Sequence, residues 1–462
     1  MTASTAISYH FIGIGGIGMS GLAQLLLQQG HRVSGSDLGN SWSKQCLFAQ
    51  TGGLVYDQHD SSHLPSEGVV VYSTDIGSDN PELTAARERS GLRLLHRSEL
   101  LAELLAASRS SCVVTGSHGK TTTTALLVEA MRHAELPVSY SLGGLLLSDQ
   151  SNGCFDGTDL FIAEGDESDG SFLRYRPTSA IFTNVGSDHL DHYGAIEQLQ
   201  EAFFQFASYL PSPQRLVWNG DDPLLSSGNL PGISLGRSSY CQAQLIPTKS
   251  SYWRQWFDLT YQGHTYEAIE LQSLGNHNCF NGAAAFLMAL ELGAPEHAIR
   301  DAFASFSGVA RRAQRLLETP TLTIVDDYAH HTNEIEATLQ GLRRQVAPGG
   351  RLIALFQPHR YSRWRRLLPH FAQAFSPADL ILITDIYSAG ELPRAEERDC
   401  CGSLLLEKMG LVRQNCCYLP RHSLIASVPP LLQKGDLLAL MGAGDITYAA
   451  HELAAVCKDL PL

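Results

Sequence analysis

Two glycine-rich stretches and four clusters of acids, histidines and arginines carry the residues of this chain that can do chemistry. The strongest stretch is Val113-Val114-Thr115-Gly116-Ser117-His118-Gly119-Lys120-Thr121-Thr122, a β-branched run into two glycines and then Lys-Thr. In a strand–loop–helix setting, the backbone N–H groups of such a loop cradle phosphate oxygens. The Lys120 ammonium then serves the β- and γ-phosphates, and the Thr121 hydroxyl can ligate Mg²⁺. The loop is the short form G-x-x-G-K-T, because position 114 is Val. The residues that follow (Ala125, Leu126, Val128, Glu129, Met131) keep an apolar helical period.

The second stretch, Gly13-Ile-Gly15-Gly16-Ile-Gly18, fits G-x-G-x-x-G between a strand and a helix, and Asp37 ends the next strand where a ribose-binding acid is expected. Its glycines let the backbone approach a pyrophosphate at a helix N-terminus. That chemistry selects a diphosphate and does not choose between a dinucleotide and a UDP-sugar. A dehydrogenase leaves Gly116–Thr122 idle, and a simple ATPase has no use for a pyrophosphate domain ahead of it. Together the loops imply that ATP is spent on a substrate that itself carries a nucleotide.

Glu164 lies at a strand end in Glu164-Gly-Asp166-Glu167-Ser-Asp169 and is the expected Mg²⁺ ligand; Glu167 and Asp169 read as a solvated acidic loop. His189, in the polar run 183–192, sits where ligands enter an open α/β sheet and is expected to serve a metal or phosphate. Further on, Gln357-Pro-His359-Arg360-Tyr-Ser-Arg363 offers two guanidiniums suited to forked recognition of a carboxylate or phosphate. Asp326-Asp327-Tyr328-Ala-His330-His331 is a dense polar set after an apolar run. A non-catalytic nucleotide sensor would keep the glycine loops but would not need Glu164, His189 and Arg360 together.

The elements that must position these groups alternate strand and helix. Tyr9–Ile14, Arg32–Ser36 and Val69–Tyr72 read as strands with a helix at Met19–Gln29. A second series opens at Cys112–Thr115, includes a β-rich stretch near Ala243–Leu271 and a helix across Phe280–Leu292, and reaches a junction at Phe306–Arg315. A third has strands at Leu322–Val325, Leu352–Phe356, Leu380–Thr384 and Leu437–Met441. The expected fold is α/β in three domains: 1–106 Rossmann-like, 107–314 central and P-loop ATPase-like, 315–462 Rossmann-like. The 462 residues, 44% hydrophobic and 17% charged, supply several cores. A net charge of −14 argues against nucleic-acid partners. Ten cysteines without C-x-x-C spacing read as reduced thiols. With no apolar run near the roughly 20 residues a membrane span needs, a cytoplasmic location without membrane insertion is expected.

In nine blocks the chain resembles the Mur ligase family: HFIGIGGIGMSGLA (10–23), GSHGKTTTT (116–124), EGDESDGSF (164–172), TNVGSDHLDHY (183–193), GNHNCFNG (275–282), FSGVARR (306–312), DDYAHH (326–331), FQPHRYSR (356–363) and GAGD (442–445). The resemblance implies an ADP-forming ligase with ATP and Mg²⁺, joining L-alanine to the lactyl carboxylate of UDP-N-acetylmuramate through an acyl phosphate, as a monomer or homodimer. It implies ATP contacts from Gly116, Ser117, His118, Gly119, Lys120, Thr121, Thr122, Asn278, Asn281, Arg312 and Asp327. Sugar-nucleotide contacts fall to Gly13, Gly15, Gly16, Gly18, Asp37 and Ser73, and amino-acid contacts to Tyr328, His330, His359, Arg360 and Arg363. Thr121, Glu164 and His189 would hold metal; Lys120, His189, His330 and Arg360 would act in catalysis. Ser117 and Gly165 stand where the family pattern has Thr and Ala. Thr332 stands where it has Pro, which is expected to loosen that loop. A relative that attaches a whole peptide shares the ATP machinery and is the alternative.

Overall fold

Runs such as Val69-Val70-Val71 are apolar on both faces because the strands they form are parallel and covered on both sides. Strands β1 (Ser8–Ile12), β2 (Arg32–Ser36), β3 (Val55–Tyr56), β4 (Gly68–Tyr72) and β5 (Leu92–His96) pair in parallel in the order β3-β2-β1-β4-β5. Strand order reverses between β1 and β4, so the crevice at their C-terminal ends is the place for a ligand. Gly13–Gly18 follow β1 there and Ser73 follows β4. The structure, a computed structural model, describes residues 6–460 apart from 40–43, 45, 46, 48, 50–53, 187–189, 398–400 and 412–414. His189, expected in metal binding and catalysis, lies outside the described residues.

The helix Pro81–Glu88 starts on an Asn80 cap with Pro at its first position. Its Glu82 is fully buried, yet the carboxylate accepts from Ser36, His10 (3.3 Å), His59 (3.2 Å), His63 (3.3 Å) and the Asp60 N–H (3.3 Å). Burial works against the charge, but these donors outweigh it and hold the carboxyl below the usual range.

A second sheet has the order β15-β14-β13-β12-β11-β10-β6-β9-β7-β8. Its strands are β6 (Ser110–Thr115), β7 (Ser139–Leu146), β8 (Ser151–Cys154), β9 (Leu160–Gly165), β10 (Ser179–Phe182), β11 (Leu216–Asn219), β12 (Ile233–Gly236), β13 (Ala243–Ser251), β14 (Arg254–Tyr261) and β15 (His264–Leu271). β6 runs parallel between β10 and β9, with Thr115 level with Phe182 and Gly165, so three loops meet at its end. A third sheet, β16 (Gln314–Glu318), β17 (Leu322–Asp327), β18 (Leu352–Phe356), β19 (Leu380–Ile383), β20 (Cys416–Tyr418) and β21 (Asp436–Met441), has the order β16-β17-β21-β18-β19-β20. Only β16 runs antiparallel to its neighbour among the described pairs.

Contacts divide the chain into two compact units. One comprises Met1–Lys249, Gln255–Gln272 and His277–Ser307; the other comprises Ser250–Arg254, Ser273–Asn276 and Gly308–Leu462. The first unit unites the segments 1–106 and most of 107–314. The β7–β8 hairpin grips the helix Ile17–Gln28: Asn152 donates to Ile17 O and to Ser20 Oγ (2.9 Å), and a Cβ on Gly153 would stand 2.3 Å from Gly21 O.

Candidate active site

In the first unit the loop after β6 is shaped from outside. Thr183 Oγ1 and Asn184 Nδ2 donate to His118 O (2.6 and 2.9 Å), the His118 N–H donates to Asn184 Oδ1 (2.9 Å), and the Ser117 N–H donates to Asn184 O (3.0 Å). Gly116 has φ +141° and a Cβ there would lie 2.1 Å from Thr183 Oγ1, so only glycine lets the chain turn at this point. The helix Lys120–His133 then opens on Gly119 without a side-chain cap, leaving its first N–H groups directed into the loop.

Lys120 Nζ donates to Gly116 O (2.6 Å) and Ser117 O (3.2 Å) and lies 2.8 Å from Glu167 Oε2. Burial disfavours its charge, but Glu167, Asp166 and Glu164 together raise its pKa. The expectation of a solvated Glu167 is therefore corrected. Its side chain is fully buried against the lysine, because a buried ammonium needs a counter-charge. Asp169 is also engaged, accepting from the Ser171 N–H (3.0 Å) and from Thr74 Oγ1 (3.4 Å). Glu164 accepts from Thr121 Oγ1 (3.0 Å) and from the Gly143 N–H (2.8 Å), which brings the two described candidate metal ligands side by side.

The start of the helix Asn276–Glu291 lies against the same loop, since a Cβ on Gly119 would stand 2.6 Å from Asn281 Oδ1. Asn281 donates to Asn278 (2.8 Å). His277, not singled out from sequence, stands exposed at this helix start. Its place between Asn276 and Asn278 at a helix start was the available signal. At the other glycine loop, Asp37 accepts from the Gly15 N–H (2.9 Å) and the Gly39 N–H (2.8 Å), so it braces the loop.

The second unit gathers its candidates at the C-terminal ends of β17, β18 and β21. Asp327 is buried and accepts from the N–H groups of Ala329 (2.8 Å) and Ala313 (2.6 Å), tying the start of the unit to β17; burial still raises its carboxyl to about 6. The Tyr328 ring lies under the guanidiniums of Arg311 (4.8 Å) and Arg312 (5.3 Å). Thr332 does not loosen its loop. It opens the helix Thr332–Arg343, where proline is also favoured, and His331 with Glu334 closes a capping box around it.

Arg360 holds φ +61°, ψ 133°, a costly conformation for a side chain other than glycine, fixed by its N–H to Tyr387 O (2.8 Å). Arg363 donates to His359 Nδ1 (2.8 Å), and burial followed by Arg360 lowers its pKa. Two guanidiniums packed this way call for an anion. His330 lies 5.2 Å from the Tyr328 ring and 6.1 Å from the His359 ring, centroid to centroid. Burial lowers the pKa of His330 to about 3 and that of His359 to about 4, so both are neutral.

A nucleotide-type loop on each of two α/β sheets, and a third sheet presenting histidines and arginines, describe an ATP-using group-transfer enzyme of several domains. Comparison with known proteins agrees. Residues 8–109 match the Mur ligase family, catalytic domain; residues 114–289 the Mur ligase middle domain; and residues 311–444 the Mur ligase, glutamate ligase domain. The chain is 41% identical over 456 residues to the UDP-N-acetylmuramate–L-alanine ligase of Protochlamydia amoebophila, covering 98% of each. It is 39% identical to the protein of the same name from an Anaeromyxobacter species, covering 97% of each. The crystal structure of UDP-N-acetylmuramate-alanine ligase MurC from Thermotoga maritima superposes with a TM-score of 0.82 at 25% identity, covering 97% of this chain and 98% of that one. The chain belongs to the Mur ligase family.

Proposed function

We propose that this protein is an ADP-forming ligase that joins L-alanine to the lactyl carboxylate of UDP-N-acetylmuramate, a step of peptidoglycan synthesis. The observation that carries the reading is the pairing, in one compact unit, of the Lys120 phosphate loop with a separate glycine loop at a topological switch point. The names of its full-length relatives point the same way.

In this reading the sugar nucleotide's diphosphate rests on Gly13–Gly18, with Asp37 and Ser73 beside it, and ATP rests on Gly116–Thr122 with Asn278 and Asn281 nearby. The carboxylate attacks the γ-phosphorus, giving an acyl phosphate and ADP; the amine of alanine then attacks the acyl carbon and phosphate leaves. Both steps gather negative charge on oxygens, which Lys120, Arg360 and Arg363 are suited to stabilise. Arg312 and Asp327 are assigned to ATP, and Tyr328, His330 and His359 to the amino acid.

The histidines take different roles by hydrogen bonding. A carbonyl only accepts, so His330 Nδ1 donates to Tyr328 O (2.9 Å) and its Nε2 lone pair remains to accept from the amine. A guanidinium only donates, so His359 Nδ1 accepts from Arg363 and its proton sits on Nε2.

Glu164 and Thr121, and His189 by resemblance, are assigned to Mg²⁺. Two adjacent oxygen donors suit that ion, which takes one or two protein ligands and completes its shell with phosphate and water. Among the described residues no group of three or more His, Cys, Asp or Glu is placed to hold a metal. When bound, Mg²⁺ would offset phosphate charge. We place the reaction in the cytoplasm, where ATP is available; no helix among the described residues is long and apolar enough to cross a membrane.

The test is phosphate release from ATP with each component omitted in turn. Turnover that needs UDP-N-acetylmuramate, Mg²⁺ and an amino acid, with L-alanine best, supports the reading. Hydrolysis indifferent to the muramate, or a requirement for a peptide in place of alanine, refutes it.

A further inference from the structure

The acidic loop 164–169 faces two ways. Glu164 and Glu167 serve the phosphate loop, whereas Asp166 and Asp169 reach residues of the first sheet's segment, Arg97 and Thr74. Arg97 follows β5 and opens the helix Arg97–Ala106. Its side chain lies flat over Gly18 in the first turn of the helix Ile17–Gln28: a Cβ at 18 would stand 2.8 Å from Nη1, 3.4 Å from Cδ and 3.5 Å from Cζ. That helix has no side-chain cap and no acid in its first turn. The other end of the guanidinium is 3.6 Å from Asp166 Oδ2, a loose pair for a group with five N–H donors. Residue 96 adds a second donor. His96 Nδ1 accepts the Ser98 N–H (3.3 Å), so its proton is on Nε2, which is buried and has no hydrogen-bond partner among the described residues.

We infer that Arg97, supported by His96 Nε2–H, is a substrate-recognition residue that receives an oxyanion of the sugar nucleotide on the side of its binding crevice nearest the phosphate loop. The inference rests on the function proposed above and adds a residue to it. A planar fork of donors beside an uncapped helix start, with one distant carboxylate as its ion-pair partner among the described residues, is built for a second anion. Two groups of one substrate could supply it, the diphosphate or the lactyl carboxylate. Asp166 keeps the fork oriented between them. A side chain at 18 would push the guanidinium aside without straining the backbone, since the atom it meets is the tip of the arginine.

Calorimetric titration of the full-length protein tests this with three ligands: UDP-N-acetylmuramate, UDP-N-acetylglucosamine (which lacks the lactyl carboxylate) and ATP. Arg97→Met is expected to weaken UDP-N-acetylmuramate on the order of 10- to 100-fold, the range of one charge-assisted contact, and to leave ATP within about 3-fold. Arg97→Lys should recover part of the loss. Gly18→Ala, which keeps the charge and moves it, should fall between. An equal loss for both sugar nucleotides assigns the diphosphate; a loss confined to the muramate assigns the carboxylate. A change below about 2-fold for both, or an equal loss for ATP, overturns the inference. Wild-type protein that binds no UDP-N-acetylmuramate would instead defeat the proposed function itself.

Discussion

Lys120 and Glu167 form the pair on which the phosphate loop turns, and removing either charge should be felt before any nucleotide arrives. At 2.8 Å the gross attraction is about 6 kcal/mol with an effective dielectric near 20. Desolvation of two buried groups offsets most of it. Lys120→Met leaves the Glu167 carboxylate buried without its cation, which should cost about 3–5 kcal/mol. Glu167→Gln keeps an acceptor for the ammonium and should cost about 1.5–3 kcal/mol. The double variant removes both charges and should be less destabilised than the sum by about 2–3 kcal/mol. Urea unfolding of the full chain, followed by tryptophan fluorescence, measures all four proteins. Without Lys120, the Glu167 pKa, already raised by burial, loses the lysine that pulls it down. The folded state then binds a proton that the unfolded state releases, so Lys120→Met should regain stability as pH falls from neutral toward the usual carboxylate range. Additivity within about 0.5 kcal/mol, or a pH profile parallel to wild type, would refute a buried ion pair.

A Cβ on Gly143 would stand 2.7 Å from Glu164 Oε2, so Gly143→Ala should raise the Mg²⁺ concentration for half-maximal activity about 10-fold or more. Unchanged Mg²⁺ dependence in the phosphate-release assay would detach Glu164 from the metal. Asp327, raised to about 6 by burial, binds a proton in the folded state between about pH 4 and 6 that the unfolded state has lost. Wild-type stability should therefore fall across that window relative to Asp327→Asn, by up to roughly 3 kcal/mol, and urea melts at pH 4 and 7 would show the difference. His330 and His359 should show no ring-proton titration in NMR spectra between pH 5.5 and 8.5, given their pKa values of about 3 and 4; a midpoint near 6.5 for either would show that the site is wet.

Apolar periodicity exposed those parts of the fold where burial is two-sided. Leu352–Phe356 was legible to the residue because a parallel strand covered on both faces demands an unbroken apolar run, whereas Arg32–Ser36, with Val33 as its one apolar side chain, was legible from its place in the strand–helix–strand alternation. The β7–β8 hairpin was not: Ser139–Cys154 is rich in Gly and Ser, and it is fixed by Asn152 and by backbone contact with Gly21 rather than by apolar alternation. Glycine loops announced themselves since their physics is local. The burial of Glu167 did not, because it depends on a lysine 47 positions earlier, brought near when β9 pairs with β6. Arg97 was silent for the same reason, its meaning given by Gly18 and Asp166. Asp37 and Asp327 were picked out as ligand contacts, and the structure adds a bracing role that no spacing rule announces.

The central claim is that the terminal phosphoryl group of ATP, held by the Lys120 loop, passes to a carboxylate of the sugar nucleotide. UDP-N-acetylmuramate labelled with ¹⁸O in its lactyl carboxylate, turned over with ATP, Mg²⁺ and L-alanine, tests that transfer at the atom that must move. The inorganic phosphate released should carry one labelled oxygen per turnover, because the carboxylate oxygen leaves with the phosphoryl group when the amine attacks. Phosphate free of label, alongside formation of the amide, would contradict the account.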